Sequence, residues 1–178
     1  QAISMSIKDN GDVETWSYFV SDKKDDDGNL VNRTDDNDSS FNNYLAPYLK
    51  IVDKKEVTDV KGQRRILYFF EDGSSFTFEG HENRDITFFP KNAEKCISKE
   101  KYLGSCAWQF EFYPIENVWY WQYLYDKKME AALYMWDGNV STLYNDSERG
   151  CNNGGGYCTA IIQRNGWKVP KDYPKRVA

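Results

Sequence analysis

Two closely spaced cysteines near the C-terminus constrain this chain more than any other feature. Cys151 and Cys158 enclose the run Asn-Asn-Gly-Gly-Gly-Tyr, and a loop so rich in glycine and asparagine does not hold one conformation by itself. A disulfide would supply the missing constraint, with a stabilisation of about 2 to 3 kcal/mol on the chain-entropy description. We therefore expect a cross-linked loop that closes off the C-terminal part of the fold.

A short helix is predicted directly after this loop. Its apolar side consists of Tyr157, Ala160, Ile161 and Ile162. The pair Asn165-Gly166 is typical of a helix C-terminus, and Pro170 and Pro174 predict a rigid, extended tail beyond it. We expect the helix around Ile161 to dock on the rest of the fold with Trp167 buried, and the Asn-Gly loop to face solvent or a neighbouring subunit.

Four cysteines form two close pairs, Cys96 with Cys106 and Cys151 with Cys158. Three connectivities are possible, and the short spacings favour local pairing in both cases. Neither spacing matches the Cys-x-x-Cys knuckle of a zinc site. Two disulfides indicate an oxidising compartment, such as a periplasm or a cell surface.

Length and charge narrow the class of protein further. At 178 residues, one globular domain over residues 1–178 is expected. The net charge of −5 argues against nucleic acid as a partner, because phosphate binding requires a basic surface. No run of about 18 apolar residues occurs, so we expect no membrane span in this stretch. The start at Gln-Ala rather than Met indicates a processed or engineered N-terminus.

The first half of the chain predicts helices and a long polar loop. Residues 1–10 have a modest amphipathic pattern that stops at Asn10-Gly11, which is typical of the end of a helix. Residues 22–40 are acidic and almost free of apolar side chains, so we expect a solvated loop. Apolar residues then recur at helical spacing over 41–49, with Ser39, Ser40 and Asn43 available as N-caps. Because Pro47 lies inside this pattern, the helix either kinks or begins late, at Asn43.

The middle of the chain predicts antiparallel strands. The apolar runs 64–70 and 74–79 are joined through Glu-Asp-Gly, which is a hairpin signal. Residues 85–89 offer a third strand, and 106–114 alternate aromatic and polar residues as a half-buried strand does. The runs 118–125 and 131–136 fit strand or helix equally. The predicted fold class is therefore α+β, a helix end packed on an antiparallel β-sheet, with a short helix in a disulfide-closed region at 150–178.

Catalytic and metal-binding patterns are weak. His81 is the only histidine and lies in a polar turn, which argues against a Ser-His-Asp or Cys-His site. A glycosidase needs a pair of carboxylates, and four carboxylates here lie among aromatic residues, but their spacing does not select any two of them. They are Glu111, Glu116, Asp126 and Glu130. The acidic runs 25–29 and 35–38 suggest calcium, although the sixth position from Asp25 is Leu30 where an EF-hand requires Gly. We expect no enzyme activity and no cofactor, with a solvated charge run favoured over a calcium site.

An aromatic stretch at 108–136 allows a second interpretation. Its members are Trp108, Trp119, Tyr120, Trp121, Tyr123, Tyr125, Tyr134 and Trp136. They suit a sugar-binding platform, but tyrosine and tryptophan equally suit the core and edges of a small sheet with one wet side. Packing is the favoured interpretation.

Three segments together carry a family resemblance. The first is Gln-Ala-Ile-Ser-Met-Ser-Ile-Lys-Asp-Asn-Gly at 1–11, followed by Trp16. The second is Phe-Asn-Asn-Tyr-Leu-Ala-Pro-Tyr-Leu-Lys at 41–50, followed by Phe-Glu-Asp-Gly-Ser-Ser at 70–75. The third and most specific is Tyr-Cys-Thr-Ala-Ile-Ile-Gln-Arg-Asn-Gly-Trp-Lys-Val-Pro-Lys-Asp-Tyr-Pro at 157–174. The chain resembles the bacterial prepilin-type proteins, which are the pilins of type IV pili and the pseudopilins of type II secretion systems.

The resemblance implies a soluble head without catalysis that acts by assembly of many copies. Residues 1–10 would be the end of a truncated N-terminal helix, and Cys151 and Cys158 would bound the C-terminal loop. The expected partners are copies of itself or other pilin-type subunits, at the bacterial cell surface or the periplasmic side of the membrane. The membrane would be reached only through a processed, methylated N-terminal helix, which this chain lacks. The alternative is a secreted carbohydrate-binding or adhesin domain that uses the stretch 108–136.

Overall fold

A six-stranded antiparallel sheet forms the centre of the molecule. The computed structural model describes residues 1–17, 24–80, 84–112 and 129–177. In chain order the strands are β1 (Asp53–Thr58), β2 (Arg64–Phe69), β3 (Ser75–Phe78), β4 (Asp85–Phe89), β5 (Trp108–Phe112) and β6 (Met129–Ala131). Each strand pairs with the next, so the sheet is a meander. With its helices and two disulfides the architecture is α+β, as the sequence predicts.

The predicted hairpin forms between β2 and β3. The backbone N–H of Phe70 donates to the carbonyl of Ser74 at 2.9 Å, and Gly73 has a φ of 81°, which favours glycine. One carboxylate oxygen of Asp72 accepts from both the backbone N–H and the hydroxyl of Ser74. These hydrogen bonds lower the pKa of Asp72. The strand predicted at 85–89 is also confirmed as β4.

Sequence patterning does not indicate strand β1. It reads Asp-Lys-Lys-Glu-Val-Thr and is mostly exposed, so it lacks the alternation of a half-buried strand. Among the described strands it lies at the edge of the sheet and pairs with β2 alone. Charged side chains such as Lys54 and Lys55 are suited to an edge because they disfavour pairing with a second sheet.

Helix α1 (Ala2–Asn10) ends at Gly11, whose φ is 79°. The chain then makes a short 3₁₀ turn, Val13–Thr15, before Trp16. The indole of Trp16 stacks on Tyr44 with ring centroids 4.6 Å apart and an interplanar angle of 5°. Val13, Trp16 and Phe112 form one core cluster, and Ile3 and Ile7 of α1 pack against it. These contacts attach α1 to the end of β5.

The second helical segment begins earlier than predicted. Helix α2 (Thr34–Ser40) continues directly into a π-helical turn (Phe41–Leu45) and a 3₁₀ turn (Ala46–Tyr48). The prediction of a loop over 22–40 is therefore wrong for 34–40, and so is a start at Asn43. Distant backbone groups explain the difference. The Thr34 hydroxyl donates to the carbonyl of Arg64 at 2.7 Å, and the Asn37 amide donates to the carbonyl of Glu79 at 2.8 Å.

Pro47 does not interrupt this segment. It occupies the first turn of the 3₁₀ helix, where the N–H that proline lacks has no helical acceptor in any case. Ser39 and Ser40 lie inside the helix rather than at its start. Asp35 and Asp36 lie in the first turn of α2, and acidic side chains there interact favourably with the helix dipole.

The two faces of the sheet are covered by different elements. Phe41 of the second helical segment packs with Tyr68, Phe76 and Phe78 on one face. Leu67 follows the alternation to the opposite face. The short helix α3 (Ala93–Ile97) packs there, in a cluster that contains Leu67, Phe89, Cys96, Ile97, Cys106 and Ala107.

The C-terminal region adds α4 (Val140–Asn145) and α5 (Cys158–Arg164). Helix α5 is the helix predicted after the cysteine loop, and residues 158–162 are buried as expected. Gln163 accepts from the backbone N–H of Ala131 at 3.3 Å and also donates to the carboxylate of Glu130. Because this N–H belongs to the edge strand β6, α5 protects an edge of the sheet that would otherwise be open.

The run 131–136 is mainly neither strand nor helix. Strand β6 ends at Ala131 and the chain then turns through Met135, whose φ is 59°. The run 118–125 lies outside the described residues. Within the ranges given above, no helix has the length and apolar character needed to cross a bilayer.

Candidate interaction surfaces

Both disulfides join the cysteines that lie close in sequence. Cys96 bonds to Cys106 and Cys151 bonds to Cys158, with Cα atoms 6.0 Å and 4.7 Å apart. All four sulfurs are therefore used, and the local pairing favoured by the spacing is the pairing seen. The first bridge attaches α3 to the segment before β5, and the second closes the glycine-rich loop.

The loop before the second disulfide is organised by Asp146. One oxygen of its carboxylate accepts from the backbone N–H groups of Glu148 and Arg149, at 3.0 and 2.7 Å. The backbone carbonyl of Asp146 accepts from the Gly150 N–H at 3.1 Å and from the Asn153 side-chain amide at 2.8 Å. The hydrogen bond from Arg149 is the main reason why the pKa of Asp146 is lowered. The loop is thus ordered by hydrogen bonds as well as by the disulfide.

The chain after α5 returns to the segment closed by the first disulfide. The Tyr173 hydroxyl donates to the carbonyl of Gly104 at 2.7 Å, and the Lys175 ammonium donates to the carbonyl of Leu103 at 2.9 Å. Burial raises the pKa of Tyr173 to about 12, whereas burial and nearby Lys101 lower the pKa of Lys175. These contacts attach the tail to the fold.

Trp167 is exposed, so the prediction that it would be buried is wrong. Its side chain is 57% exposed. Gly166 and Trp167 both have positive φ, 66° and 61°, and the N–H of Trp167 still donates to the carbonyl of Ile162 at 2.9 Å. This turn ends the helix and directs the indole outward. Its ring stacks on Phe110, with centroids 6.2 Å apart and an interplanar angle of 17°.

A bulky residue with positive φ is uncommon and is strained relative to glycine. Strain of this kind persists only where the surrounding structure maintains it. Here the helix-ending hydrogen bonds and the stack on Phe110 maintain it. The result is an exposed indole held in a defined orientation. Sequence reasoning missed this because the Asn165-Gly166 pair predicts the end of the helix but not the direction of the next side chain.

The aromatic stretch is described only at its two ends. Trp108 and Tyr134 are half-buried and Trp136 is buried. The Arg149 guanidinium lies 5.3 Å from the Tyr134 ring centroid, and that of Arg164 lies 5.4 Å from the Trp136 ring centroid. The remaining residues of the proposed sugar platform lie outside the described residues: Trp119, Tyr120, Trp121, Tyr123 and Tyr125.

Several carboxylates of the two acidic runs have partners within the chain. Asp25 accepts from the backbone N–H groups of Asp27 and Asn29, at 3.0 and 2.8 Å. Asp35 and Asp38 make ion pairs with Arg64 and Lys54, at 2.7 and 2.8 Å. No group of three or more metal-ligating side chains is found in the part of the chain that the structure describes. Calcium binding stays a prediction, and adding a chelator while measuring the melting temperature would test it.

Of the candidate catalytic residues, only Glu111 and Glu130 are described. They lie directly opposite each other on β5 and β6, although sequence spacing had selected no pair. Glu111 is buried and accepts from the backbone N–H of Leu133 at 3.2 Å, while Glu130 accepts from Gln163. Both carboxylates thus hold neighbouring chain segments. His81, Glu116 and Asp126 lie outside the described residues.

Sequence reasoning also missed a buried charge network around Arg65, which is 3% exposed. Its guanidinium donates to Asp59 at 3.0 Å, to Glu79 at 2.7 Å and to the carbonyl of Phe78 at 2.8 Å. Burial acts to lower the pKa of Arg65, but the Glu79 and Asp59 carboxylates outweigh it and raise that pKa. Since the charge is paired and each of its three nitrogens donates a hydrogen bond, we assign the network a structural role.

A cleft of about 570 Å³ separates the cysteine-closed loop from the β1–β2 turn. Its walls come from 60–61, 100–103 and 147–156, with Gln109 of β5 between them. The volume suits a small ligand, and the lining combines charged side chains of both signs with apolar surface from Val60, Tyr102 and Leu103. The cleft therefore offers both hydrogen bonds and apolar contact.

Comparison with known families identifies the family of this chain. The chain belongs to the family of unknown function DUF6613, which it matches over residues 1–177. Neither the comparison with curated proteins nor that with solved structures finds a match.

Proposed function

We propose that this chain is the head of a prepilin-type protein, a structural subunit of a type IV pilus or a type II secretion pseudopilus. It would act by assembly into a filament rather than by catalysis. The observation that carries the proposal is the packing of helix α1. This helix lies at the N-terminal end of the sequence and is attached to an antiparallel sheet. The resemblance of residues 1–11, 41–50 and 157–174 to that family implies this arrangement.

The seating of α1 supports a role in assembly. Ile3 and Ile7 pack towards Trp16 and Phe112, while Met5 on the same helix is 42% exposed. The Tyr48 hydroxyl donates to Asp9 at 2.6 Å. One side of α1 is thus held by the head and the other is open to neighbouring subunits.

The disulfides support export. Two cross-links within one domain are typical of proteins that fold in an oxidising compartment, and both are present here. A head on the periplasmic side or at the cell surface is compatible with them. The loop closed by Cys151 and Cys158 would be the C-terminal disulfide loop that the resemblance implies.

The upstream coding sequence provides the first test. We expect a short basic leader, Gly, Phe and then a long apolar run; a cleavable secretory signal peptide alone would overturn the proposal. The second test uses an epitope tag on the full-length protein in the bacterium that produces it. Immunogold labelling should follow surface or periplasmic filaments. The matched control carries the same tagged head behind a cleavable signal peptide and should label none.

The second candidate function is carbohydrate binding or adhesion. Trp167 favours it, because an exposed indole with an imposed orientation suits stacking against a sugar ring. A glycan array should then show saturable binding that is lost in Trp167→Ala, or in Trp119→Ala or Trp121→Ala if the stretch 108–136 is used. Absence of binding across diverse polysaccharides would exclude this candidate.

A further inference from the structure

The segment that follows α5 combines exposed apolar and basic side chains. Trp167 and Val169 are 57% and 51% exposed. Arg164, Lys168 and Lys171 are exposed beside them, and none makes an ion pair with any described residue. We name residues 164–171 the basic apolar segment. The segment is positively charged, whereas the chain as a whole has a net charge of −5.

A second segment of the same chain has the complementary character. Asp25, Asp26 and Asp27 are exposed, and Leu30 is 43% exposed next to them. The three carboxylates make no ion pair within the described ranges. We name residues 25–30 the acidic segment. Hydrogen bonds from Asp27 and Asn29 to Asp25 order it, together with a β-bridge between Lys24 and Leu30.

We infer that the basic apolar segment of one copy docks on the acidic segment of a second copy. This inference rests on the proposed function and names the contact between heads. Opposite charges on the two segments would steer the encounter and set its register, while Trp167, Val169 and Leu30 supply apolar area. Because the two surfaces differ, a pair keeps one acidic segment free on one copy and one basic apolar segment free on the other, so the contact is heterologous and permits an open filament.

A zero-length carbodiimide cross-linker tests this contact directly, since it joins a lysine amine to a carboxylate that touches it. Isotopically heavy and light protein are mixed and cross-linked, and peptides are identified by mass spectrometry. We expect mixed heavy–light peptides that link Lys168 or Lys171 to Asp25, Asp26 or Asp27. The yield should fall as salt is raised, because exposed charges are screened.

Charge reversal provides the variants. Asp26→Lys with Asp27→Lys keeps Asp25 and both lysine amines, so the link from Lys168 or Lys171 to Asp25 should fall about tenfold because like charges then face each other. Lys168→Glu with Lys171→Glu removes the reactive amines as well as the charge, so this variant is used for mixing. Mixing the two reversed proteins should restore cross-links between them. The matched control, Lys95→Glu with Lys99→Glu, makes the same change of charge on exposed residues of and beside α3 and should leave the yield unchanged.

Three results of the cross-linking would overturn the inference. These are no link between the two segments, no restoration on mixing, or an equal loss in the control. The protein could instead sediment with phosphatidylglycerol vesicles only when Lys168 and Lys171 are present, and form no cross-links between copies. That result would assign the basic apolar segment to an anionic membrane surface. Normal filaments from the reversed variants would reject this contact and leave the proposed function standing. An upstream sequence without the apolar helix would reject the proposed function whatever the cross-links show.

Discussion

At the scale of single residues, close packing around Gly104 leaves no room for a side chain. A Cβ atom added there would overlap the sulfur of Cys158 and lie 3.1 Å from the Tyr173 hydroxyl. Gly104 also has a φ of 79°, which L-residues with a side chain rarely adopt. This glycine lets the segment closed by the first disulfide approach the second disulfide and the C-terminal tail.

We predict that Gly104→Ala lowers the free energy of unfolding by about 3 kcal/mol or more, because backbone strain adds to overpacking. Gly62→Ala is the matched control: its φ is 78°, but no atom lies within 4 Å of an added Cβ. It should cost only the backbone term, about 1 to 2 kcal/mol. Urea denaturation measures both, and equal losses would show that the contact with Cys158 is unimportant.

At the scale of elements, the second disulfide and Asp146 act on the same loop, and α5 begins where that loop ends. Cys151 and Cys158 are fully buried. The Tyr157 hydroxyl donates to the carbonyl of Tyr134 at 2.6 Å. The loop, α5 and the protected edge of β6 should therefore unfold together if the cross-link is removed.

We predict that Cys151→Ala with Cys158→Ala lowers the free energy of unfolding by about 2 to 4 kcal/mol. Hydrogen exchange should show the largest loss of protection in α5. The control is Cys96→Ala with Cys106→Ala, which opens a loop of similar length, with separations of 10 and 7 residues. Its stability loss should be similar but located around α3. Unchanged protection in α5 would contradict the prediction.

At the scale of the whole molecule, hydrogen-bonded carboxylates make the free energy of unfolding depend on pH in the acidic range. The pKa of Asp146 is lowered mainly by the Arg149 N–H, and that of Asp72 by the Ser74 hydroxyl. Burial acts to raise the pKa of Asp38, but hydrogen bonds from Lys54 and Tyr68 outweigh it and lower that pKa. In acid the unfolded chain binds more protons at these sites than the folded chain does.

Stability from these groups is therefore fully present above the ordinary Asp pKa of about 3.9 and is lost as the pH falls below it. We predict that the urea midpoint is nearly constant from about pH 7 to pH 5 and then decreases steadily. Asp146→Asn keeps a side-chain oxygen that accepts hydrogen bonds but has no carboxyl group to titrate. The urea midpoint of this variant should therefore depend less on pH in this range. A midpoint that does not change down to pH 3 would contradict the prediction.

Local signals made several features predictable from sequence. The Asp72-Gly73 turn predicts the β2–β3 hairpin, because the backbone conformation needed for that turn favours glycine. Asn165-Gly166 predicts the end of α5, and short spacing favours both disulfides. Each of these depends on residues close together in the chain, where few alternative conformations compete.

Only the tertiary structure decided the remaining features, because their partners are distant in sequence. An acidic run becomes α2 since Thr34 and Asn37 bond to backbone carbonyls 30 and 42 residues away. The charged strand β1 forms because β2 supplies a partner for its backbone. Trp167 is exposed because Gly166 and Trp167 both have positive φ, and the turn they form directs the indole outward. One side of the indole is covered by the stack on Phe110. The sequence by itself determined the class of fold and its cross-links, whereas packing between distant segments decided which surfaces are available to a partner.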